Sequence, residues 1–364
     1  MLFNNNSIME IKRKKTKEIF IGNKKIGADN PILVQSMTNI PAADIENTIR
    51  QINALSAIGC DIVRIAVPDM RAAEAVKEIK SRINIPLVAD IHFDYRLALK
   101  VIENDVDKLR INPGNIGEKE KVERVVKAAK DKGIPIRIGV NAGSLEKDLL
   151  EKYSGPSAQA MVESAEKHIH ILEDLNYQDI VVSLKASNVL MSVEAYTLFS
   201  EKFDYPLHLG ITEAGLPEDS TLKSGIGLGY LLLNGIGDTL RVSVTGDPLE
   251  EIRIGKKMLY DIGLREHDGI EIIACPTCGR TAINLIGIAE KVRDEVKDIN
   301  ANLKVAIMGC VVNGPGEGRE ADIGVAGGRG KGVLFKKGVV YKTVAEEEIV
   351  SELIKEIKEM AVCS

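Results

Sequence analysis

Tryptophan is absent from the 364-residue chain, and aromatic residues together make up 4% of it. Platforms on which nucleic-acid bases could stack are therefore not supported. Positive charge is not in excess: 48 Lys and Arg stand against 53 Asp and Glu, for a formal charge of −5, a balance that disfavours a nucleic-acid partner. No apolar run reaches the length of a membrane span, and the N-terminus lacks the charged-then-apolar layout of a secretory signal. Cysteine is scarce, with five in all, and three of them fall in one stretch, which is not a disulfide framework. A soluble protein of the reducing cytoplasm is the expectation. Histidine runs out at His267, upstream of that cysteine stretch. What remains, with 45% hydrophobic residues, is an ordinary globular composition and enough chain for two domains.

Residues 1 to 10 read as a loose tail, and two short apolar runs around Gly22-Asn23, within Glu18 to Ile26, read as a hairpin. A regular alternation follows. Strands are expected at Ile32–Asn39, Asp61–Pro68, Leu87–Phe93, Lys108–Asn112, Ile134–Asn141, Ile180–Ser187, Leu207–Gly215 and Thr239–Gly246. Helical apolar spacing lies between them, for example over Ala42–Ile58, Glu118–Lys132, Ser157–Leu175 and Ile226–Leu233, and Leu249–Ile262 closes the series. This is the plan of an α/β chain folded as a (β/α)8 TIM-type barrel. An open doubly wound sheet is the alternative, but no glycine-rich dinucleotide turn follows the first strand. The repeat stops near Leu264, and His267-Asp268-Gly269 reads as the boundary, which gives domains over residues 1–265 and 266–364. The second reads as a small α+β unit: a β-α-β segment, further strands, and a helix over about Val344 to Met360.

Side chains at i and i+2 of a strand share a face. By that rule Arg64 shares a face with Ile62 and Ala66, Asp90 with His92, Arg110 with Asn112, Arg137 with Gly139 and Asn141, Lys185 with Ser183 and Ser187, and Arg241 with Ser243 and Thr245. The opposite faces are almost wholly Val, Ile and Leu and suit the surrounding helices, so the polar face belongs to the lumen. Cations gathered in a lumen repel one another and lose hydration, and an anion among them relieves both costs. Guanidinium forks favour phosphate or carboxylate, and several of them suggest more than one phosphate group. Internal ion pairs, with Asp90 as one partner, are the competing explanation. Glu213, in Gly210-Ile211-Thr212-Glu213-Ala214-Gly215, ends the seventh strand, where barrels place catalytic groups. Alternation puts it on the apolar face unless the strand bends. Gly225-Ile226-Gly227-Leu228-Gly229 opens a helix and offers a phosphate site, with tight packing as the alternative.

The cluster of three cysteines, in two groups, is the chain's strongest chemical signal. Cys275-Pro276-Thr277-Cys278-Gly279-Arg280 follows the strand-like run Ile270 to Ala274, and Gly309-Cys310-Val311-Val312-Asn313-Gly314-Pro315-Gly316-Glu317 follows Lys304 to Met308. Two neighbouring strands would deliver three thiols to one end of one sheet. Structural zinc wants a closed set of four ligands, and no histidine completes this one. An iron–sulfur cluster fits better, with zinc or a redox disulfide as alternatives. Glu317 is either an exposed turn residue or a fourth ligand.

Taken together, Val34-Gln35-Ser36-Met37-Thr38-Asn39, Ala89-Asp90-Ile91-His92-Phe93, Arg110-Ile111-Asn112-Pro113-Gly114-Asn115, Gly210 to Gly215, Cys275 to Arg280 and Gly309 to Glu317 closely resemble the 4-hydroxy-3-methylbut-2-enyl diphosphate synthase family of the methylerythritol phosphate route, in its short bacterial form, over about Lys12 to Met360. The resemblance implies a [4Fe-4S] enzyme held by Cys275, Cys278, Cys310 and Glu317. It implies that Glu213 is catalytic and that Arg64, Arg110, Arg137, Asn141, Lys185, Arg241 and Ser243 bind the diphosphate. The implied reaction is a two-electron reductive opening and dehydration of 2-C-methyl-D-erythritol 2,4-cyclodiphosphate, with electrons from flavodoxin or ferredoxin. The implied assembly is a homodimer in which one subunit's cluster domain caps the other's barrel. A zinc-containing phosphate-binding lyase and a non-catalytic iron–sulfur sensor are the rival classes.

Overall fold

The computed structural model describes residues 11–267, 269–297, 299, 301–312, 316 and 318–362. The tail expected over residues 1 to 10 lies outside the described residues, as do Asp268, Asn313 to Pro315, Glu317 and Cys363. The chain divides into two compact units, Met1–Arg265 and Glu266–Ser364.

The first unit is a parallel barrel. Its strands are β3 (Leu33–Met37), β4 (Ile62–Ala66), β5 (Leu87–Asp90), β6 (Lys108–Arg110), β7 (Ile136–Asn141), β8 (Ile180–Lys185), β9 (His208–Leu209) and β10 (Thr239–Leu240). They are hydrogen-bonded in the ring order β8-β7-β6-β5-β4-β3-β10-β9. A parallel bridge from Val182 to Leu207 closes the ring between β8 and the segment entering β9. Outside the ring lie α1 (Ile45–Ala57), α2 (Met70–Ser81), α3 (Tyr95–Glu103), α4 (Lys119–Asp131), α5 (Lys147–Lys152), α6 (Ala158–Glu173), α7 (Val189–Lys202), α8 (Pro217–Leu233) and α9 (Pro248–Asp261). Asp44, Asp69, Asp94, Ser157, Asn188 and Asp247 cap helices by accepting from a first-turn N–H, which fixes where each leaves the barrel mouth.

The apolar outward face of every strand is buried against these helices in one continuous core. Below the lumen, the hairpin of β1 (Ile19–Ile21) and β2 (Lys24–Ile26) forms a plug. Ile19, Ile21 and Ile26 pack on the inward-facing Leu33, Ile62, Val88 and Val181. The barrel is thus dry and apolar at its base.

Three expectations shift. The seventh and eighth strands are only two residues each: regular pairing stops at Leu209 and Leu240, and further along the seventh-strand segment Glu213 and Gly215 take left-handed backbone angles (φ 54° and 98°). The helix expected over Ile226–Leu233 begins instead at Pro217, with Pro in its first turn beside Glu218 and Asp219. Gly225 to Gly229 is therefore mid-helix and offers no phosphate site. A Cβ at Gly227 would lie 3.0 Å from Ile211 and 3.1 Å from Val189, so the glycine there serves close packing.

The second unit is a mixed sheet ordered β11 (Ile270–Ala274), β12 (Leu303–Met308), β13 (Ile323–Gly328), β14 (Lys331–Lys336) and β15 (Val339–Ala345). The first three strands are parallel and the last three antiparallel. Helices α10 (Leu285–Val296) and α11 (Ile349–Val362) bury Ile288, Val292, Leu353 and Ile357 against Val305, Ile307 and Val325.

Ile21 is fully buried in the plug. Its replacement by Ala should cost about 2–5 kcal/mol through the cavity it leaves. A lowered urea midpoint would register the loss, and an unchanged midpoint would contradict the plug's role.

Candidate functional site

Residues on the inward face of the strands form layers. Above the apolar plug come Gln35, Lys108, Arg137, His208 and Thr239, all buried. Above these, Arg64, Asp90, His92, Arg110, Arg137, Asn141, Ser183, Lys185, Thr212, Arg241 and Ser243 line a cavity of about 160 Å³. Arg64, Arg110, Arg137, Asn141, Lys185, Arg241 and Ser243, spread over 180 residues of sequence, are thus brought together. Size does not single out this cavity. A groove of about 640 Å³ between α8 and α9 is larger, but Ile226, Tyr230, Leu233, Ile254 and Met258 make it apolar. Convergent polar groups mark the lumen as the chemical site.

Two carboxylates orient the cations. Asp90 accepts from Arg110 Nη1 at 3.2 Å and lies 3.9 Å from Arg64 Nε. Burial by itself would raise the Asp90 carboxyl, but the hydrogen bond with His92 and the charges of Arg64, Arg110 and Arg137 overcome it and hold the group ionised. Glu251, buried on α9, accepts from Arg241 Nε and Nη2 at 2.9 and 2.7 Å, a bidentate pair, and from Ser36 Oγ at 2.7 Å. Met37 Sδ lies 2.8 Å from Arg64 Nη2. His92 has a ring nitrogen 3.0 Å from Arg110 Nη1.

Neither carboxylate serves the remaining cations. Among the described residues Arg137, Lys108 and Lys185 form no ion pair, and Arg137 Nε and Nη1, Lys108 Nζ and His208 Nε2 have no hydrogen-bond partner. Burial, and then the surrounding cations, push Arg137, Lys185 and Lys108 well below their ordinary values. Burial likewise brings Arg64 down to about 10. Glycine makes room for this crowd. A Cβ at Gly139 would lie 2.5 Å from Arg110 Nε, and one at Gly210 would lie 2.5 Å from Lys185 Nζ.

Glu213 is exposed and does not line the cavity; it stands one residue beyond Thr212, which does. Its left-handed φ of 54° is a conformation that costs a non-glycine residue about 1–2 kcal/mol. This bend takes it out of the strand alternation that counted against it.

In the second unit, the parallel register of β11 on β12 sets Ala274 beside Ile307, so Cys275 and Cys310 emerge at the same end of the sheet. Cys275 Sγ accepts from the Gly309 N–H at 3.1 Å, and the Ala282 N–H donates to the Gly309 carbonyl at 2.9 Å, stitching the two cysteine loops together. Cys275, Cys278 and Cys310 are free thiols. The hydrogen bond from the Arg280 backbone, followed by those of Thr281, lowers the exposed Cys278 thiol. Among the described residues no three His, Cys, Asp or Glu side chains converge on a single metal ion. A polynuclear cluster spreads its thiolates over separate irons and does not need that convergence. The three soft thiols are ligands that suit such a cluster, as they would suit zinc. Glu317 lies outside the described residues.

Sequence reasoning missed Lys108, Met37, His208 and Glu251. The first two sit two residues from Arg110 and Gln35 on the same strands, so the alternation contained them. His208 begins the seventh strand and shares its face with Gly210. Glu251 comes from a helix and had no such signal.

A parallel barrel with a cation-lined mouth, joined to a small thiolate-bearing unit, defines a class of two-module chains that pair an anion site with soft-metal ligands. The chain belongs to the GcpE family: the GcpE TIM-barrel domain matches residues 16–256 and the GcpE protein C-terminal domain matches residues 271–359. It is 62% identical to the 4-hydroxy-3-methylbut-2-en-1-yl diphosphate synthase (flavodoxin) of Caldanaerobacter subterraneus subsp. tengcongensis, over 96% of this chain and 98% of that one. It is 59% identical to the protein of the same name from Clostridium perfringens, over 95% and 99% of the two chains. Among solved structures, the N-acetylneuraminic acid synthetase of Leptospira borgpetersenii superposes with a TM-score of 0.50 at 14% identity, covering 78% of this chain and 98% of that one, a likeness of fold alone.

Gly139→Ala should leave the fold intact but displace the Arg110 guanidinium. Titration calorimetry with pyrophosphate is expected to show about tenfold weaker binding, the worth of one charged hydrogen bond. Unchanged affinity would mean that Arg110 does not contribute to an anion site.

Proposed function

We propose that this chain carries out the reaction for which its relatives are named, the reductive opening and dehydration of 2-C-methyl-D-erythritol 2,4-cyclodiphosphate to the linear 4-hydroxy-3-methylbut-2-enyl diphosphate, with flavodoxin, or ferredoxin in its place, as electron donor. The observation that carries the reading is the pairing, in one chain, of a sheet edge that presents three free thiols with a lumen where, among the described residues, Arg137, Lys108 and Lys185 form no ion pair. A [4Fe-4S] cluster would be held by Cys275, Cys278, Cys310 and Glu317 and would pass the donor's electrons on one at a time.

The chain's own residues do the rest. Arg64, Arg110, Arg137, Lys185 and Arg241 hold the diphosphate, Asn141 and Ser243 donate to its remaining oxygens, and the same set stabilises it as the ring C–O bond breaks and negative charge grows on it. Asp90 and Glu251 keep Arg110 and Arg241 aimed before substrate arrives, so little reorganisation is needed on binding. Glu213, at the rim, delivers the proton with which the hydroxyl leaves as water. The barrel unit is the substrate domain and residues 266–364 the cluster domain, and the protein works as a cytoplasmic homodimer. Zinc-lyase and sensor readings leave unexplained either the thiol set without histidine or the cationic lumen.

The experiment is anaerobic purification with iron and sulfide analysis, followed by cyclodiphosphate turnover with dithionite and a mediator. About four irons per chain and formation of the linear allylic diphosphate are expected. In the same assay Glu213→Gln should lower kcat by about a hundredfold or more with the iron content unchanged. Stoichiometric zinc without a chromophore would overturn the reading, and full turnover by Glu213→Gln would remove that residue from it.

A further inference from the structure

His168, on α6, is buried among residues that no part of the proposed reaction uses; its side chain is 5% exposed. It joins two loops of the barrel mouth. Its Nε2 lies 3.2 Å from Glu146 Oε1, in the loop that follows β7 and leads into α5. Its Nδ1 lies 3.2 Å from the N–H of Gly114, in the tight turn Pro113–Asn115 that follows β6. An N–H can only donate, so Nδ1 must offer its lone pair, and the ring proton sits on Nε2, facing the carboxylate. The hydrogen bond from His168 is in turn the chief cause holding the Glu146 carboxyl down at about 2, and Ser164 Oγ adds a second donor at 3.0 Å. Gly114 is required by the fit, since a Cβ there would lie 2.8 Å from His168 Cε1.

From this clamp a short chain of contacts leads to the lumen. Gly114 is two residues beyond Asn112, whose side chain brackets Gly139 on β7, accepting from its N–H at 2.8 Å and donating to its carbonyl at 3.0 Å. The same carbonyl accepts from Arg110 Nη2 at 3.0 Å. Glu146 is five residues beyond Asn141, a cavity-lining residue.

We propose that His168 is a positioning residue for diphosphate binding: as a neutral imidazole it ties the β6 turn to the β7 loop and so fixes Arg110, Asn112 and Asn141 in register with one another. The inference rests on the assignment of the cation-lined cavity as the diphosphate site.

The test is steady-state kinetics of the cluster-loaded enzyme with cyclodiphosphate. His168→Leu removes both ties, and KM should rise about tenfold while kcat stays within about twofold, because orientation and not chemistry is lost. His168→Asn, whose Oδ1 can still accept from the Gly114 N–H, should recover most of that rise, which a merely space-filling role would not produce. Should His168→Leu fail to fold, Glu146→Ala releases the ring from its other side and should raise KM in the same way. Wild-type KM in the folded Leu or Ala variant, or an Asn variant no better than Leu, overturns the proposal. Lys185→Met is run alongside: if it leaves KM unchanged, the cavity assignment fails, whatever the His168 variants do.

Discussion

The barrel is built around charge that the protein itself does not neutralise. Arg64, Lys108, Arg110, Arg137, Lys185 and Arg241 point into one lumen, and among the described residues only Asp90 and Glu251 answer them with ion pairs. Removing an ion from water without a partner costs several kcal/mol, and mutual repulsion adds to that. The depression of Arg137, Lys185 and Lys108, with burial as the first cause, expresses the same cost. A fold can hold such a site only if the surrounding structure is rigid enough to deny the side chains an escape.

The rest of the unit supplies that rigidity. The isoleucine plug fills the base of the lumen, with Ile19, Ile21 and Ile26 packed on Leu33, Ile62, Val88 and Val181. Glycines at 139 and 210 leave room for the Arg110 and Lys185 side chains, since a Cβ at either would lie 2.5 Å from the nearest side-chain nitrogen. Glu251 accepts from Arg241 and from Ser36 on a different strand, and Asp90 accepts from Arg110 and lies beside Arg64, so the two carboxylates set direction as much as they offset charge. Stability given up locally is the expected cost of a site whose contacts are set before a ligand arrives. The thiolate unit follows the opposite plan: Cys278 is exposed, and backbone donors lower its thiol without burial.

Much of this was legible in the sequence because a strand's period of two is strict. Arg64, Arg110, Arg137, Lys185 and Arg241 stood out as cations on faces whose reverse sides were Val, Ile and Leu, and a barrel has one inside. The cysteines stood out because two apolar runs of strand length each ended in one of their loops. What the sequence hid depended on long-range packing or on backbone angles. Glu251 sits on the helix after Arg241's own strand, where the period of two no longer applies, and its bond from Ser36 depends on the closed ring. Glu213 lies beyond Leu209, where strand pairing already stops, and takes a left-handed angle in a run that otherwise reads as one continuous strand. Gly225 to Gly229 imitated a phosphate loop, but Pro217 and the acids after it had already started the helix. Lys108 was visible to the alternation rule, sharing a face with Arg110 and Asn112 in the strand expected over Lys108–Asn112, but was not singled out.

The central claim is that the lumen's positive charge is held for an anionic ligand and costs the empty protein stability. Thermal melts of wild type and Arg137→Met, each with and without cyclodiphosphate, test it directly. Arg137 is buried, with Nε and Nη1 unpartnered among the described residues. The account predicts that the ligand-free variant melts higher than wild type, by about 1–3 kcal/mol in unfolding free energy, and that cyclodiphosphate stabilises wild type but no longer stabilises the variant. A variant that melts lower when empty and is still stabilised by the ligand would contradict the account.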